Sequence, residues 1–336
     1  MESTFVELTG IGKSHLNKEE ISTSDLKDNE AIVKAEYSLI SAGTELSRAF
    51  ALKKGFSYPV RPGYSLVGRI VEKGKDIQAE KGDPVFVNAP HASLVRWDDT
   101  DRVQGHQIIR LPDDIDLKEA TALNLLLVAL QGVNLLNTRA GMNTGVFGLG
   151  NIGIFTGLIC KKMGMKAIGL DPVTKRCELA EKMGFEYTID SQDQKEQINR
   201  ITEGRGLDIA IDVTGLSPVI MNCADSARAY GQVLLLGSPR QAYETDITPF
   251  LSNIHMKDLK VIGAFNKTVP VHPVDGSDDS MENNIRIALD LIRNRDIEIE
   301  KMIDRVIDPK DCEEAYYDLM YRKDQCSGVV FDWRNY

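Results

Sequence analysis

The sequence predicts a two-domain α/β chain: a small β-barrel domain split into two parts, with a doubly wound parallel-sheet domain inserted between them. Three observations predict this. Short β-like runs separated by turn residues fill the first third, and apolar strands alternate with helical segments through the middle. A glycine-rich turn, Gly148-Leu149-Gly150-Asn151-Ile152-Gly153, sits where one of those strands gives way to a helix. At 336 residues the chain is also longer than one core usually fills. The expected parts are residues 1–124 and 263–336 for the split domain and 125–262 for the insert.

Each element follows from its pattern. The runs 31–35, 66–71, 84–87 and 93–97 read as barrel strands, with Gly74, Gly82-Asp83 and Asn88-Ala89-Pro90 as turns between them. From Leu117 to Leu136 the apolar residues continue too long for a strand and fit a helix. Residues 144–147, 166–170, 207–212 and 232–236 are nearly continuous apolar strands linked by helical segments, the pattern of a parallel sheet covered on both faces. After 261–263 a polar stretch, 275–280, leads into a helix at 283–293. A last strand at 327–331 is expected to return to the first domain.

In a strand-turn-helix context the three glycines have separate tasks: a tight turn at Gly148, backbone approach to a pyrophosphate at Gly150, and close helix packing at Gly153. Leu149, Asn151 and Ile152 complete the turn. Asp171 ends the next apolar strand, eighteen residues past Gly153, where a carboxylate can accept from an adenosine ribose and repel a 2′-phosphate. A dinucleotide is therefore expected, NAD in preference to NADP. Lys175 and Arg176 raise the NADP alternative, but are expected to begin a helix with their side chains in solvent. Thr214, Gly237 and Ser238 follow two further strands and are expected on the same ligand-binding edge.

Composition narrows the class. A net charge of −10 argues against a sequence-independent grip on nucleic acid. The longest apolar stretch, around Ala120 to Leu136, is interrupted by Asn124, Gln131 and Asn134, so no membrane span is expected. The first residues lack a basic start and an apolar core, and no signal peptide is expected. Cys160, Cys177, Cys223, Cys312 and Cys326 are scattered and never in C-x-x-C spacing, which reads as reduced thiols in a cytoplasmic protein.

This layout, with Arg61-Pro62-Gly63-Tyr64-Ser65-Leu66-Val67-Gly68 and Glu72-Lys73-Gly74 followed by Lys81-Gly82-Asp83-Pro84-Val85, resembles the medium-chain dehydrogenase/reductase superfamily along essentially the whole chain. The resemblance implies a GroES-like barrel around a Rossmann domain, a nicotinamide cofactor, a small-molecule substrate and a homodimer. In such dimers the strand after Leu236 pairs across a two-fold, and the segment Tyr243 to Leu259 is expected to supply that edge. Zinc-dependent members carry a cysteine in a C-G-T-D-like segment and a His-Glu pair in a G-H-E segment. Here the first region reads Ser41-Ala42-Gly43-Thr44-Glu45, with Ser41 or Ala42 at the cysteine position, and the second reads Gly63-Tyr64-Ser65. Neutral hydroxyls do not replace thiolate, imidazole and carboxylate around zinc, so no metal is expected. The four-cysteine lobe of many relatives is missing as well, because residues 83–91 run directly into 92–95. S-A-G-T-E together with P-G-Y-S is similar to bacteriochlorophyllide dehydrogenases and to zinc-less dehydrogenase modules of sugar and cell-surface biosynthesis.

Without a metal, hydroxyl donors must stabilise charge developing on a substrate oxygen. Tyr64 is the first candidate, either as that donor or as a filler of the vacated pocket, with Ser41, Thr44 and Ser65 as a hydroxyl relay. Thr44-Glu45 can instead cap a helix beginning near Leu46. Tyr58 and His91 are weaker candidates for proton donation, and Arg240 for binding an anionic group or a subunit interface. His255, Lys257, Lys267 and His272 read as a solvated rim. The expected activity is NAD(H)-dependent interconversion of a secondary alcohol and a ketone on a polar, sugar- or polyol-like substrate. Reduction of an activated double bond or quinone, or NAD binding without turnover, are the alternatives.

Overall fold

The computed structural model describes residues 1–52, 55–99, 107–190, 193–265, 269–275 and 279–336. Lys267 and the middle of the polar stretch, 276–278, lie outside the described residues. In chain order the first part carries strands β1 (Glu2–Gly10), β2 (Lys13–Glu20) and β3 (Glu30–Leu39), then helix α1 (Ala42–Ala49). Strands β4 (Leu66–Lys73), β5 (Pro84–Val87), β6 (Leu94–Asp98) and β7 (Ile108–Arg110) and the short helix α2 (Leu117–Ala120) complete it. The middle comprises α3 (Leu123–Asn134), β8 (Asn143–Phe147), α4 (Asn151–Lys162), β9 (Lys166–Leu170), α5 (Thr174–Lys182) and β10 (Tyr187–Ile189). It continues through α6 (Gln194–Ile201), β11 (Leu207–Asp212), α7 (Ser217–Ser226), β12 (Ala227–Leu235), α8 (Thr248–Lys257) and β13 (Lys260–Gly263). The chain ends with α9 (Met281–Arg293), β14 (Arg305–Ile307), α10 (Cys312–Tyr321) and β15 (Val329–Asp332).

Two compact units result, Met1–Asn124 with Lys267–Tyr336, and Leu125–Asn266. The second boundary falls later than the expected 262. Val261, Ile262 and Gly263 pair with β12, and the Ala264 amide still donates to the Leu235 carbonyl, so the sixth strand holds the chain in the inserted unit beyond that point.

In the first unit β3 serves three neighbours along its length. It pairs with β4 through most of its residues, with β6 at its start and with β15 at its end. That bends the seven-stranded mixed sheet round one core, to which β1, β3, β4, β5, α1, α10 and β15 all contribute, with Phe5, Leu66, Val85, Tyr316 and Trp333 among its buried members. The return of the last strand to this unit, read from 327–331, is the β15–β3 pairing. The β1–β2 hairpin was not anticipated. Its buried positions include Ser3, whose hydroxyl donates to the Leu94 carbonyl, and Thr4, whose backbone amide donates to the Ser93 hydroxyl, and these polar residue types break the apolar signature of a strand.

In the second unit six strands run parallel in the order β10-β9-β8-β11-β12-β13, the doubly wound order in which the sheet reverses between β8 and β11. The expected strands at 166–170 and 207–212 coincide with β9 and β11. The expected helix from 117 to 136 is broken between α2 and α3. The segment 243–259 is not a strand: most of it is α8, and the edge of the sheet on that side is β13, with β10 at the other. Among the described residues no helix is long and apolar enough to cross a membrane.

Candidate functional sites

In the parallel-sheet unit, the segments singled out in the sequence sit together at the C-terminal ends of β8, β9, β11 and β12. Gly148 turns the chain with φ +101°, and a Cβ there would lie 2.8 Å from the methyl of Thr214. Gly153 packs α4 against that turn so closely that a Cβ would fall 1.9 Å from the Gly148 carbonyl oxygen. Gly150 is the opposite case. It is the N-cap of α4, and a Cβ on it would meet nothing within 4 Å. No side chain caps the helix, so the first-turn amides of Asn151, Ile152 and Gly153 face that open space with the positive end of the helix dipole behind them. Such a cradle fits a pyrophosphate.

Asp171 is more constrained than its position in the sequence implies. Its carboxylate is buried, with Oδ2 accepting the Leu149 amide at 2.8 Å and Oδ1 accepting the Val173 amide at 2.9 Å. Arg176 corrects the reading of a solvent-facing helix start: its side chain is 23% exposed and its Nη1 lies 3.4 Å from Asp171 Oδ2, while its Nε is buried without a partner. Oδ2 already receives two donors, the Leu149 amide and Arg176, whereas Oδ1 receives one, so acceptor capacity for a ribose hydroxyl remains at Oδ1. The adjacent guanidinium, however, offsets the charge that would repel a 2′-phosphate. Thr214 spends its hydroxyl locally, donating to Asp212 Oδ1 at 2.6 Å and accepting from the Leu216 amide at 3.1 Å. Burial raises the Asp212 carboxyl above the usual carboxylate range against these hydrogen bonds. Gly237 permits close approach of the loops after β11 and β12, since a Cβ would sit 2.3 Å from the Gly215 amide nitrogen, and Ser238 beside it is exposed. Lys257 is no rim residue: its ammonium donates to the carbonyls of Ala224, Asp225 and Ala227 at the end of α7, and desolvation lowers its pKa.

The barrel unit brings three of the four expected hydroxyls together. Tyr64, just before β4, donates to Ser41 Oγ and lies 3.3 Å from Thr44 Oγ1, so the serine rather than Ala42 meets the tyrosine. Ser65 does not join the relay. Its hydroxyl is buried and has no hydrogen-bond partner. Burial raises the phenol's pKa, partly offset by the Ser41 and Thr44 hydrogen bonds, which keeps Tyr64 a proton donor at neutral pH. Thr44 and Glu45 do not cap a helix from Leu46. The helix begins at Ala42 with Ser41 as N-cap, and Glu45 Oε1 accepts the Ser41 amide at 2.7 Å.

The sequence reading missed what lies behind Ser41. Glu45 Oε2 accepts from His91 Nε2 at 2.9 Å and from the Tyr316 hydroxyl at 2.7 Å, and all three side chains are buried. Burial, then the Glu45 charge, holds the Tyr316 phenol well above its ordinary pKa. The only sequence signals were an acid in a helix's first turn and a histidine after Asn88-Ala89-Pro90, and nothing local pairs them. Tyr58 is otherwise engaged, its hydroxyl donating to the Arg48 carbonyl at 2.7 Å.

The donor set does not fit zinc. The side chains at the ligand positions are neutral hydroxyls, two of them bonded to each other, and Glu45 and His91 are bound into a buried network. Among the described residues no three His, Cys, Asp or Glu side chains converge as a metal cluster.

Residues 151–274 match the family model of zinc-binding dehydrogenases. That stretch excludes Ser41, Tyr64 and Ser65, so the match carries no information about a metal at those positions. The chain is 25% identical over 282 residues to D-guloside 3-dehydrogenase of Shigella flexneri, covering 80% of this chain and 77% of that protein. Its fold is that of solved dehydrogenases. Galactitol-1-phosphate dehydrogenase from Escherichia coli superposes with a TM-score of 0.81 at 18% identity, over 98% of this chain and 99% of that one. A putative zinc-binding dehydrogenase from Sinorhizobium meliloti, bound to NADP, superposes with a TM-score of 0.79 at 20% identity, over 99% of each chain.

Proposed function

We propose that this chain is a medium-chain dehydrogenase that interconverts a secondary alcohol and a ketone on a polar, sugar- or polyol-like substrate, using NAD(H) and no zinc. One observation carries the reading: a chain with an open dinucleotide cradle has, at the positions of the metal ligands, a hydroxyl cluster centred on a protonated tyrosine. The bound nicotinamide supplies or accepts the hydride. In ketone reduction Tyr64 donates a hydrogen bond to the carbonyl oxygen and then its proton to the developing alkoxide. For this the single phenol proton turns from Ser41 Oγ to the substrate, the Ser41 hydroxyl donates to the resulting phenolate in its place, and a solvent proton then restores the phenol. The sugar-derivative dehydrogenases among the similar proteins support the substrate class. The acid at Asp171 supports NAD, although Arg176 beside it leaves NADP accessible.

Tyr58, the weaker proton-donor candidate, has its hydroxyl committed to the Arg48 carbonyl, and the hydroxyl cluster at Tyr64 favours the alcohol–ketone reaction over double-bond reduction. Five unpaired, buried cysteines support a reducing, cytoplasmic setting. A second copy of the chain is the proposed partner. The test is transfer of tritium from labelled NADH and NADPH to ketoses, enones and quinones in the presence of a zinc chelator. Label at a carbinol carbon is expected. Label β to a carbonyl would replace this reaction with double-bond reduction, and NADH binding without transfer would leave a regulatory protein.

A further inference from the structure

The geometry points to Glu45 and His91 as positioning residues for the Tyr64 hydroxyl cluster: buried donors converge on one carboxylate, which holds Ser41 and, through it, the phenol. This rests on the reading of Tyr64 as the group that binds the substrate oxygen.

Proton directions in the network follow from the residue types. The Trp333 indole is a donor only, and it donates to Ser38 Oγ at 2.8 Å. Ser38 is then free to give its own proton to His91 Nδ1, also at 2.8 Å, which leaves the Nε2 proton directed at Glu45. Tyr316 and the Ser41 amide complete the set, so Glu45 receives three donors and every bond runs toward it. Trp333, Ser38, His91, Glu45 and Tyr316 are all at most 2% exposed. Burying five polar side chains costs free energy that an apolar core would not, and it is tolerated because the set is fully paired. The network is also directional, since the bonds end at the first turn of α1, where Ser41 meets Tyr64.

A second link reaches the same tyrosine from the other side. Gly63 has φ +99°, and a Cβ there would lie 2.7 Å from the His91 amide nitrogen and 2.8 Å from its ring. The residue before Tyr64 therefore rests directly on the imidazole, whose other contacts include the edge-on ring of Phe331 at 5.0 Å. Glu45 and His91 thus grip Tyr64 through Ser41 and through Gly63. The Glu45 charge also opposes ionisation of the phenol.

The test reads Tyr64 directly. In protein labelled with [13Cζ]tyrosine, the Tyr64 resonance is the one lost in Tyr64→Phe, and its position and titration are followed by NMR. Glu45→Gln should move that resonance and lower the pH at which the phenol ionises, whereas Tyr230→Phe, at an exposed site, should leave it in place. With a substrate identified by tritium transfer, kcat in Glu45→Gln should fall roughly 10- to 100-fold with KM nearly unchanged, as expected for misplacement of a reacting group. If Glu45→Gln does not fold, Tyr316→Phe, which removes one donor and no charge, should move the resonance in its place. A folded variant with lowered melting temperature but an unmoved Tyr64 resonance and titration would reduce the network to a structural role and overturn the proposal. A moved resonance in a protein that transfers no hydride would uphold the coupling and overturn the function.

Discussion

At the residue scale, Tyr64 separates chemistry from packing. Tyr64→Phe keeps the ring and removes the donor, so transition-state stabilisation should fall by roughly 2–4 kcal/mol, the range for one oxyanion donor, with melting temperature nearly unchanged. Tyr64→Ala should lower both turnover and stability, because it also leaves a cavity. Turnover of Tyr64→Phe equal to the parent's would make the tyrosine a space filler. Its protonation gives a pH sign as well. The protonated phenol is the donor, and burial raises its pKa, so reduction should persist as pH rises past the ordinary tyrosine range and decline only through the raised value. A loss near neutrality in a pH–rate profile of Tyr64 variants and parent would assign the proton to another group. Asp171 is the corresponding test of cofactor choice. Asp171→Ser should weaken NADH binding about tenfold, or ~1.4 kcal/mol, and narrow its advantage over NADPH, as read by titration of both. An unchanged ratio would remove Asp171 from discrimination and leave Arg176 as the residue to examine.

At the element scale, two glycines at the start of α4 give opposite predictions. Gly150 has φ −75° and ψ −177° with open space beyond its α-carbon, so Gly150→Ala should leave the fold intact or stabilise it by about 0.4–1 kcal/mol, while the new methyl obstructs the phosphate cradle. Gly153→Ala forces a methyl onto the Gly148 carbonyl and should destabilise the unit by at least ~1–3 kcal/mol. Calorimetry with and without NADH reads both, and a Gly150→Ala protein that binds NADH normally would place the pyrophosphate elsewhere. The turn at Gly148 and the close helix packing at Gly153 were legible in the sequence because spacing and context determine them locally. So were β9 and β11, whose apolar runs are buried on both faces. The β1–β2 hairpin was not, because its buried Ser3 hydroxyl depends on a partner about ninety residues away. The site shows the same division. The meeting of Tyr64 with Ser41 was anticipated from the positions of metal ligands, whereas the Glu45–His91 pair joins residues 46 apart whose types carry no local pattern. Arg176 was misjudged because helical position alone does not show that a strand-end carboxylate lies within its reach.

At the scale of the whole molecule, the proposed homodimer is assigned to a surface of the parallel-sheet unit where the resemblance implied a strand and the structure has a helix beside an edge strand. The edge is β13, not the 243–259 segment, and α8 beside it has no buried residue. Tyr243, Ile247, Leu251, Met256, Val261 and Phe265 are all exposed there, Met256 by 75%. An unpaired parallel edge flanked by large apolar side chains is a surface that folded chains usually cover, because it otherwise templates aggregation. A second copy related by a two-fold would cover it with the same patch. Burying Leu251 and Met256 is worth about 1.5–3 kcal/mol each, so placing charges at both should weaken association by two to four decades or more. Sedimentation at micromolar concentration should therefore show a dimer for the parent and a monomer for Leu251→Glu/Met256→Glu. The variant should keep its NADH affinity, since neither side chain lies on the strand ends that form the cradle. A monomeric parent would leave this face for a different partner, and a dimeric variant would move the interface off α8.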